Sequence, residues 1–415
     1  MTAVQIKTLL VLVTVLCSFF ASVGAAAETS RYVWLVTLDG LRLQELFTGA
    51  DQRLIDEEVG GVKDVEAVKQ RYLHESAEVR RRRLMPFFWE VISQQGQVFG
   101  SPEANSAVWV KNGRYFSYPG YQELLCGFPD EAIDSNDKKY NKNTSVLEWL
   151  HEQPDFHGKV AAFTSWDVFP YILNSKRSKM YVNAGWQEIE FTVDDTTRSW
   201  LNHAMREAPR VWPNVRFDFI THSGAMQYLR MQHPHVLYLA LGETDDWCHE
   251  GRYDLYLDAA RLNDRYLQQL WEFAQNSEIY RGKTSLVVAS DHGRGDGREG
   301  WKSHSDKLPG SERTWIAVMG PDVPALGVRR DVEVDQGQVA ATVAALLGQD
   351  FAATSPRIAP PLPIQDQSGD PSGDPSEGRR EDSLDEQLVS PDPAEQLVSP
   401  DPAEQLVSPD PAKQE

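Results

Sequence analysis

The stretch Val33-Trp34-Leu35-Val36-Thr37-Leu38-Asp39-Gly40 decides the fold. Its first six residues are apolar or β-branched, with no polar alternation, and the run stops at an Asp-Gly pair. A short apolar run bounded by a turn dipeptide reads as a strand buried on both faces. Four further runs share this character: Val160–Phe163, Val236–Leu241, Leu286–Ser290 and Thr314–Met319. Segments with helical periodicity lie among them: Met85–Gln95, Tyr118–Leu125, Ser145–Glu152, Thr196–Glu207, Tyr253–Phe273 and Gln336–Leu347. The last ends before Gly348, as a helix C-terminus does. Such alternation predicts an α/β fold, a three-layer α/β/α sandwich with a mostly parallel central sheet. In sheets of this kind, chemistry gathers beyond the carboxyl ends of the strands.

Three of the predicted strands end in groups able to bind metal ions. Val33–Leu38 is followed by Asp39, Val236–Leu241 by Gly242-Glu243-Thr244-Asp245-Asp246-Trp247-Cys248-His249, and Leu286–Ser290 by Asp291-His292-Gly293. His304 precedes Thr314–Met319. One Asp at a strand end is an ordinary helix cap, and one His an ordinary polar contact. Brought to a single sheet edge, they combine carboxylates with imidazoles. That donor set suits zinc, with manganese and iron also compatible. Ser117, in Ser117-Tyr118-Pro119, stands at the start of a predicted helix whose early proline suits a first turn. Without a cation it is an N-cap; beside one, its hydroxyl is acidified while free helix amides hold an incoming anion.

Taken in order, these motifs resemble those of the alkaline phosphatase superfamily and, within it, the type I phosphodiesterase/nucleotide pyrophosphatase branch, over residues 31–355. The resemblance implies an alkaline-phosphatase-like sandwich with Ser117 as nucleophile. It also implies one metal on Asp39, Ser117, Asp291 and His292, and a second on Asp245, His249 and His304. Asp246 rivals Asp245, but the four-residue spacing to His249 favours Asp245. Asn136 matches the branch's phosphate-binding asparagine, with Asn141 and Asn143 as rivals. Tyr121 stands where a sulfatase motif needs Arg. The implied activity is two-metal hydrolysis of phosphodiester or pyrophosphate bonds in a small phosphate ester, through a phosphoseryl intermediate. The alternatives are a phosphomonoesterase of the same superfamily and a non-catalytic exported metal-binding protein.

The chain has 415 residues, 41% of them hydrophobic, which is enough for a large core. A net charge of -20 argues against a nucleic-acid partner. Eleven of those negative charges fall in residues 364–415, where a nine-residue unit, Gln387-Leu388-Val389-Ser390-Pro391-Asp392-Pro393-Ala394-Glu395, recurs from Gln396 and Gln405. An acidic, Pro-rich repeat buries too little apolar surface to offset ordering entropy, so 364–415 reads as a disordered tail and 28–363 as the catalytic domain. At the other end, Lys7, the apolar run Thr8–Phe20 and Ala25-Ala26-Ala27 read as a signal peptide over residues 1–27. The apolar run is short of the ~20 residues a span needs. Export to the periplasm or exterior is the expectation, with no membrane span after cleavage.

Cys126 and Cys248 suffice for one bridge in an oxidising compartment; otherwise they are two buried thiols. Trp247 and Trp301 are packing residues or pocket lining. The basic run Arg80–Arg83 reads as a solvated helical face.

Overall fold

All six residues from Val33 to Leu38 are fully buried, which is why the run carries no polar alternation. Trp34, Val36 and Leu38 face one core cluster, while Val33 and Leu35 face another on the opposite side of the sheet. A computed structural model describes residues 30–191 and 195–365. The expected signal segment and all but the first two residues of the expected tail lie outside the described residues.

The strands are β1 (Tyr32–Leu38), β2 (Gly96–Phe99), β3 (Ser106–Trp109), β4 (Val160–Thr164), β5 (Tyr181–Ala184), β6 (Val236–Leu241), β7 (Thr284–Ala289), β8 (Arg313–Thr314), β9 (Ile316–Met319), β10 (Gly327–Val328) and β11 (Val332–Asp335). Eight form one sheet in the order β10-β2-β9-β7-β1-β6-β4-β5, and β11-β3-β8 form a second. The main sheet is parallel except at β9, which runs antiparallel to β2 and β7. Helices cover both faces, so the predicted mostly parallel α/β architecture is the one observed. Register positions the site. Leu38 lies opposite Leu241, and Thr37 lies opposite Ala289, so Asp39, Gly242 and Ser290-Asp291 leave the sheet at one level.

The five predicted strands all exist, one in two pieces. Thr314–Met319 is interrupted at Trp315, whose buried indole donates to Leu41 O at 2.9 Å. The remaining strands are too short, at two to four residues, to show a period. Helix Asp218–Gln232 was also illegible, because Asp218, Thr221 and His222 are buried beside its apolar residues and blur the polar face. The basic run is not a free solvated face. Arg81 lies over the Trp89 ring at 3.8 Å, Arg80 donates to the carbonyls of Thr48, His74 and Glu75, and Arg83 donates to Leu73 O.

No bridge joins the cysteines: both are free and buried. Cys248 belongs to one core cluster, whereas Cys126 ends the helix Ser117–Cys126, whose Leu124 and Leu125 pack into the other. Burial pushes both thiols up to about 12.

That helix approaches the end of β7 very closely. A Cβ on Gly120 would lie 2.4 Å from Asp291 O, so the position admits only glycine. Gly120→Ala is expected to push Ser117 away from Asp291 and to cost about 1–3 kcal/mol, read from denaturant melts alongside turnover. Unchanged stability and activity would show that the helix shifts freely.

The folded unit extends past the expected boundary at residue 363. Leu362 and Ile364 are buried, the Gln97 side chain donates to Ile364 O at 2.7 Å, and Arg329 donates to Pro363 O at 2.7 Å. A chain ending at Asp366 is expected to keep the full thermal midpoint. One ending at Pro363 loses the buried Ile364 side chain and about 2 kcal/mol. Identical melting of the two truncated chains would show that this closing strap adds nothing.

Candidate active site

The site begins with the loop that delivers Ser117. Glu123, in the same helix, is buried, and its carboxylate accepts from the backbone N–H groups of Lys111 and Asn112 and from Asn112 Nδ2. Asn112 Oδ1 accepts in turn from Arg114 N and Tyr115 N. These bonds hold Tyr115 at φ +57°, a left-handed conformation that costs a bulky side chain of order 1–3 kcal/mol. The Tyr115 carbonyl accepts from His304 Nδ1 at 3.0 Å. Because a carbonyl only accepts, that bond places the His304 proton on Nδ1 and leaves Nε2 as a lone pair. His292 Nδ1 likewise donates to a carbonyl, Gly293 O, at 2.9 Å.

Both Nε2 atoms face carboxylates. His292 Nε2 lies 3.4 Å from Asp39 Oδ1, 3.4 Å from Asp291 Oδ2 and 3.4 Å from Ser117 Oγ. Gly40 N donates to Asp291 Oδ1, and Tyr121 OH donates to Asp39 Oδ2 at 2.9 Å. Each carboxylate therefore has one oxygen anchored. The other oxygens, Asp39 Oδ1 and Asp291 Oδ2, are buried and make no hydrogen bond among the described residues. Next to them, His304 Nε2 is 3.5 Å from Asp245 Oδ1 and 3.0 Å from His249 Nε2, which is 3.2 Å from Asp245 Oδ2. Asp245 and His249 come together because they are four residues apart on the short helix Glu243–His249.

The electrostatics show the same crowding. Burial and the Asp245 charge raise the Asp39 pKa, and burial with Asp39 pushes Asp291 well above the carboxylate range. For His292, burial alone would favour the neutral ring, but Asp291 and Asp39 lift it to about 9. Burial opposes the charge on Asp245, yet the Arg294 guanidinium holds its pKa well down. Arg294, fully buried, donates to both Asp245 Oδ1 and Asp245 O. Two orphaned carboxylate oxygens, and two imidazole nitrogens facing each other, form a donor set that fits divalent cations. Two three-residue groups have converging ligand atoms, Asp39-Asp291-His292 and Asp245-His292-His304.

These groups open onto a cavity of 640 Å³. Asn136 lines it, whereas Asn141 and Asn143 do not; those two are engaged with Cys126 Sγ and Asp130. Asn136 Oδ1 accepts from Tyr118 N at 2.9 Å. The amide of the helix's second residue is thus used internally, while Asn136 Nδ2 remains a donor for an anion. Asp246 lines the cavity beside Asp245, with its pKa well raised by burial and the Asp245 charge, but it joins neither group of converging ligand atoms. Trp247 and Trp301 do not line the cavity. Trp247 packs edge-on against Trp212, and Trp301 is fully buried against Tyr253 and Tyr256. Trp166 supplies the aromatic wall instead.

Sequence reasoning missed Arg294, Lys138, Asp167 and Asp218. Arg294 directly follows Asp291-His292-Gly293, and that position was its only available signal. Asp218 accepts from Gly242 N and Glu243 N, capping the helix that carries Asp245 from a distant segment. No local pattern announces such a cap.

No curated protein sequence matches the chain. Among solved structures, an alkaline phosphatase superfamily protein from Vibrio parahaemolyticus is 14% identical, over 81% of this chain and 70% of that one, with a TM-score of 0.46. A murine ectonucleotide pyrophosphatase/phosphodiesterase 5 in complex with AMP is 11% identical, over 77% and 96%, with a TM-score of 0.45. The alkaline phosphatase PafA is 10% identical, over 80% and 98%, at 0.49. The sequence model of one family, type I phosphodiesterase/nucleotide pyrophosphatase, matches residues 57–359. On that match the chain belongs to the type I phosphodiesterase/nucleotide pyrophosphatase family, a family of phosphoester hydrolases.

Proposed function

We propose that this hydrolase cleaves phosphodiester or pyrophosphate bonds with Ser117 as nucleophile and two divalent cations, zinc first and manganese or iron second. One observation carries the reading: the orphaned oxygens of Asp39 and Asp291 converge on His292 within reach of the Ser117 hydroxyl. Asp39, Ser117, Asp291 and His292 would hold one cation; Asp245, His249 and His304 would hold the other. When bound, the cations supply charge stabilisation and lower the Ser117 hydroxyl pKa.

The residues of the chain do the rest. Ser117 Oγ forms a bond to phosphorus as the leaving alcohol or phosphate departs, giving a phosphoseryl intermediate. Asn136 Nδ2 donates to a non-bridging oxygen on which charge accumulates. Water then displaces Ser117 Oγ and frees the phosphate product. The Ser117 cluster sits in an open cavity, which favours this reading over a purely metal-binding role. The N-terminal pattern supports export, and no helix among the described residues is long and apolar enough to cross a membrane.

Charge favours diesters over monoesters. Lys138 is the one lysine or arginine among the described residues lining the cavity, and Asp167 neutralises it at 2.7 Å. A terminal phosphate dianion needs a free cation there; a singly charged diester does not. Asp167→Asn is expected to raise p-nitrophenyl phosphate turnover about tenfold relative to bis-p-nitrophenyl phosphate, the worth of one charge-assisted contact. An unchanged ratio would remove Lys138 from the selectivity.

Ser117→Ala is expected to keep the fold, since the hydroxyl's partner is His292 Nε2 at 3.4 Å and a hydrogen bond of this kind is worth ~1 kcal/mol. It should lower turnover by at least about a thousandfold. Two displacements also require net retention at a chiral phosphate ester. Inversion, or near-normal turnover by the variant, would mean that water attacks directly and Ser117 only starts its helix.

A further inference from the structure

A second cavity, of 540 Å³, lies between helices Asp218–Gln232 and Tyr253–Asn276, away from Ser117. The two helices run in the same direction, because His222 stacks on Tyr266 at 4.2 Å while Arg230, eight residues on, lies over Phe273 at 5.4 Å. Phe273 is itself held by stacking on the buried Trp34. The Arg230 guanidinium is therefore preset on an aromatic face, and it has no ion-pair partner among the described residues. A stacked guanidinium of this kind presents a planar fork of donors to a carboxylate or phosphate. His222 lines the same groove, is 5% exposed, and has an Nε2 with no hydrogen-bond partner among the described residues. Burial and the Arg230 charge press the His222 pKa to about 3, so the ring is neutral in ordinary buffers.

The remaining lining sets the ligand chemistry. Gln227, Gln269 and Asn276 add amide donors and acceptors, which suit hydroxyl groups. Glu272 stands at the same groove, bonded by Gln268 Nε2 at 2.8 Å. The Arg230 fork can take one carboxylate, while the Glu272 charge beside it repels the second charge of a phosphate dianion. We propose that this groove binds a polyhydroxylated monocarboxylate of the sugar-acid class, its carboxylate on Arg230 and its hydroxyls on the amides and His222. Nothing in the chemistry at Ser117 requires this site.

The test uses the full chain with selectively labelled histidine, D-gluconate as probe, and acetate, D-glucose and inorganic phosphate as controls. The His222 resonance is identified by its loss in His222→Phe, and calorimetry on unlabelled protein gives an independent binding curve. D-gluconate is expected to shift that resonance saturably, with at least about tenfold weaker binding in Arg230→Gln. Arg230→Gln should retain its melting temperature and diester turnover. Acetate and glucose, which each lack half of the recognised chemistry, should bind at least about tenfold more weakly than gluconate. Three outcomes would overturn the proposal: no saturation up to about 50 mM, saturation unaffected by Arg230→Gln, or acetate or phosphate binding as well as gluconate.

Discussion

The structure turns on three carboxylates, Asp39, Asp245 and Asp291, held close together in a buried place around His292. Gathering like charges away from water is unfavourable, and each neighbour relieves part of the cost. Arg294 takes one oxygen of Asp245, Tyr121 one of Asp39, and Gly40 N one of Asp291. Asp39 Oδ1 and Asp291 Oδ2 are left without a hydrogen-bond partner among the described residues, and that residual demand for positive charge fits a divalent cation better than a packed core.

The sheet keeps these charges where they are. β1 lies between β6 and β7 in a register that brings three strand ends to one level, and two core clusters clamp the sheet from either face. A one-residue slip of β1 would send its apolar side chains to the wrong clusters and carry Asp39 away from Asp291. The Ser117 loop and helix are tied to this frame twice. Gly120 packs against the Asp291 backbone, and the strained Tyr115 carbonyl fixes the tautomer of His304. Strain at Tyr115 persists because the buried carboxylate of Glu123 and the Asn112 side chain over-determine the loop.

Electrostatic complementarity also shapes the cavity mouth. Lys138 and Asp167 neutralise each other beside Trp166, leaving a wall that is polar and aromatic but carries little net charge. The second groove differs: its guanidinium lies over an aromatic ring and has no ion-pair partner among the described residues, and His222 Nε2 is without a hydrogen bond among them.

The five principal strands and the ligand-bearing strand ends were legible because burial on both faces leaves a continuous apolar run that stops where chemistry begins. Asp39, Ser117, Asp245, His249, Asp291, His292 and His304 could be named from order and spacing, and the fold brings all seven together. The sequence by itself also set the acidic, Pro-rich repeat composition of residues 364–415. It could not reveal that Ile364 belongs to the folded unit, because a single apolar residue has no period. Only tertiary structure decided that Arg294 pairs with Asp245, that Asp218 caps the Asp245 helix, that Asn136 consumes the Tyr118 amide, and that Cys126 and Cys248 fall on opposite core faces. Those hydrogen bonds join segments eighteen to forty-nine residues apart. Local pattern carries the period and the turn, but which distant side chain meets a buried charge depends on how the layers pack.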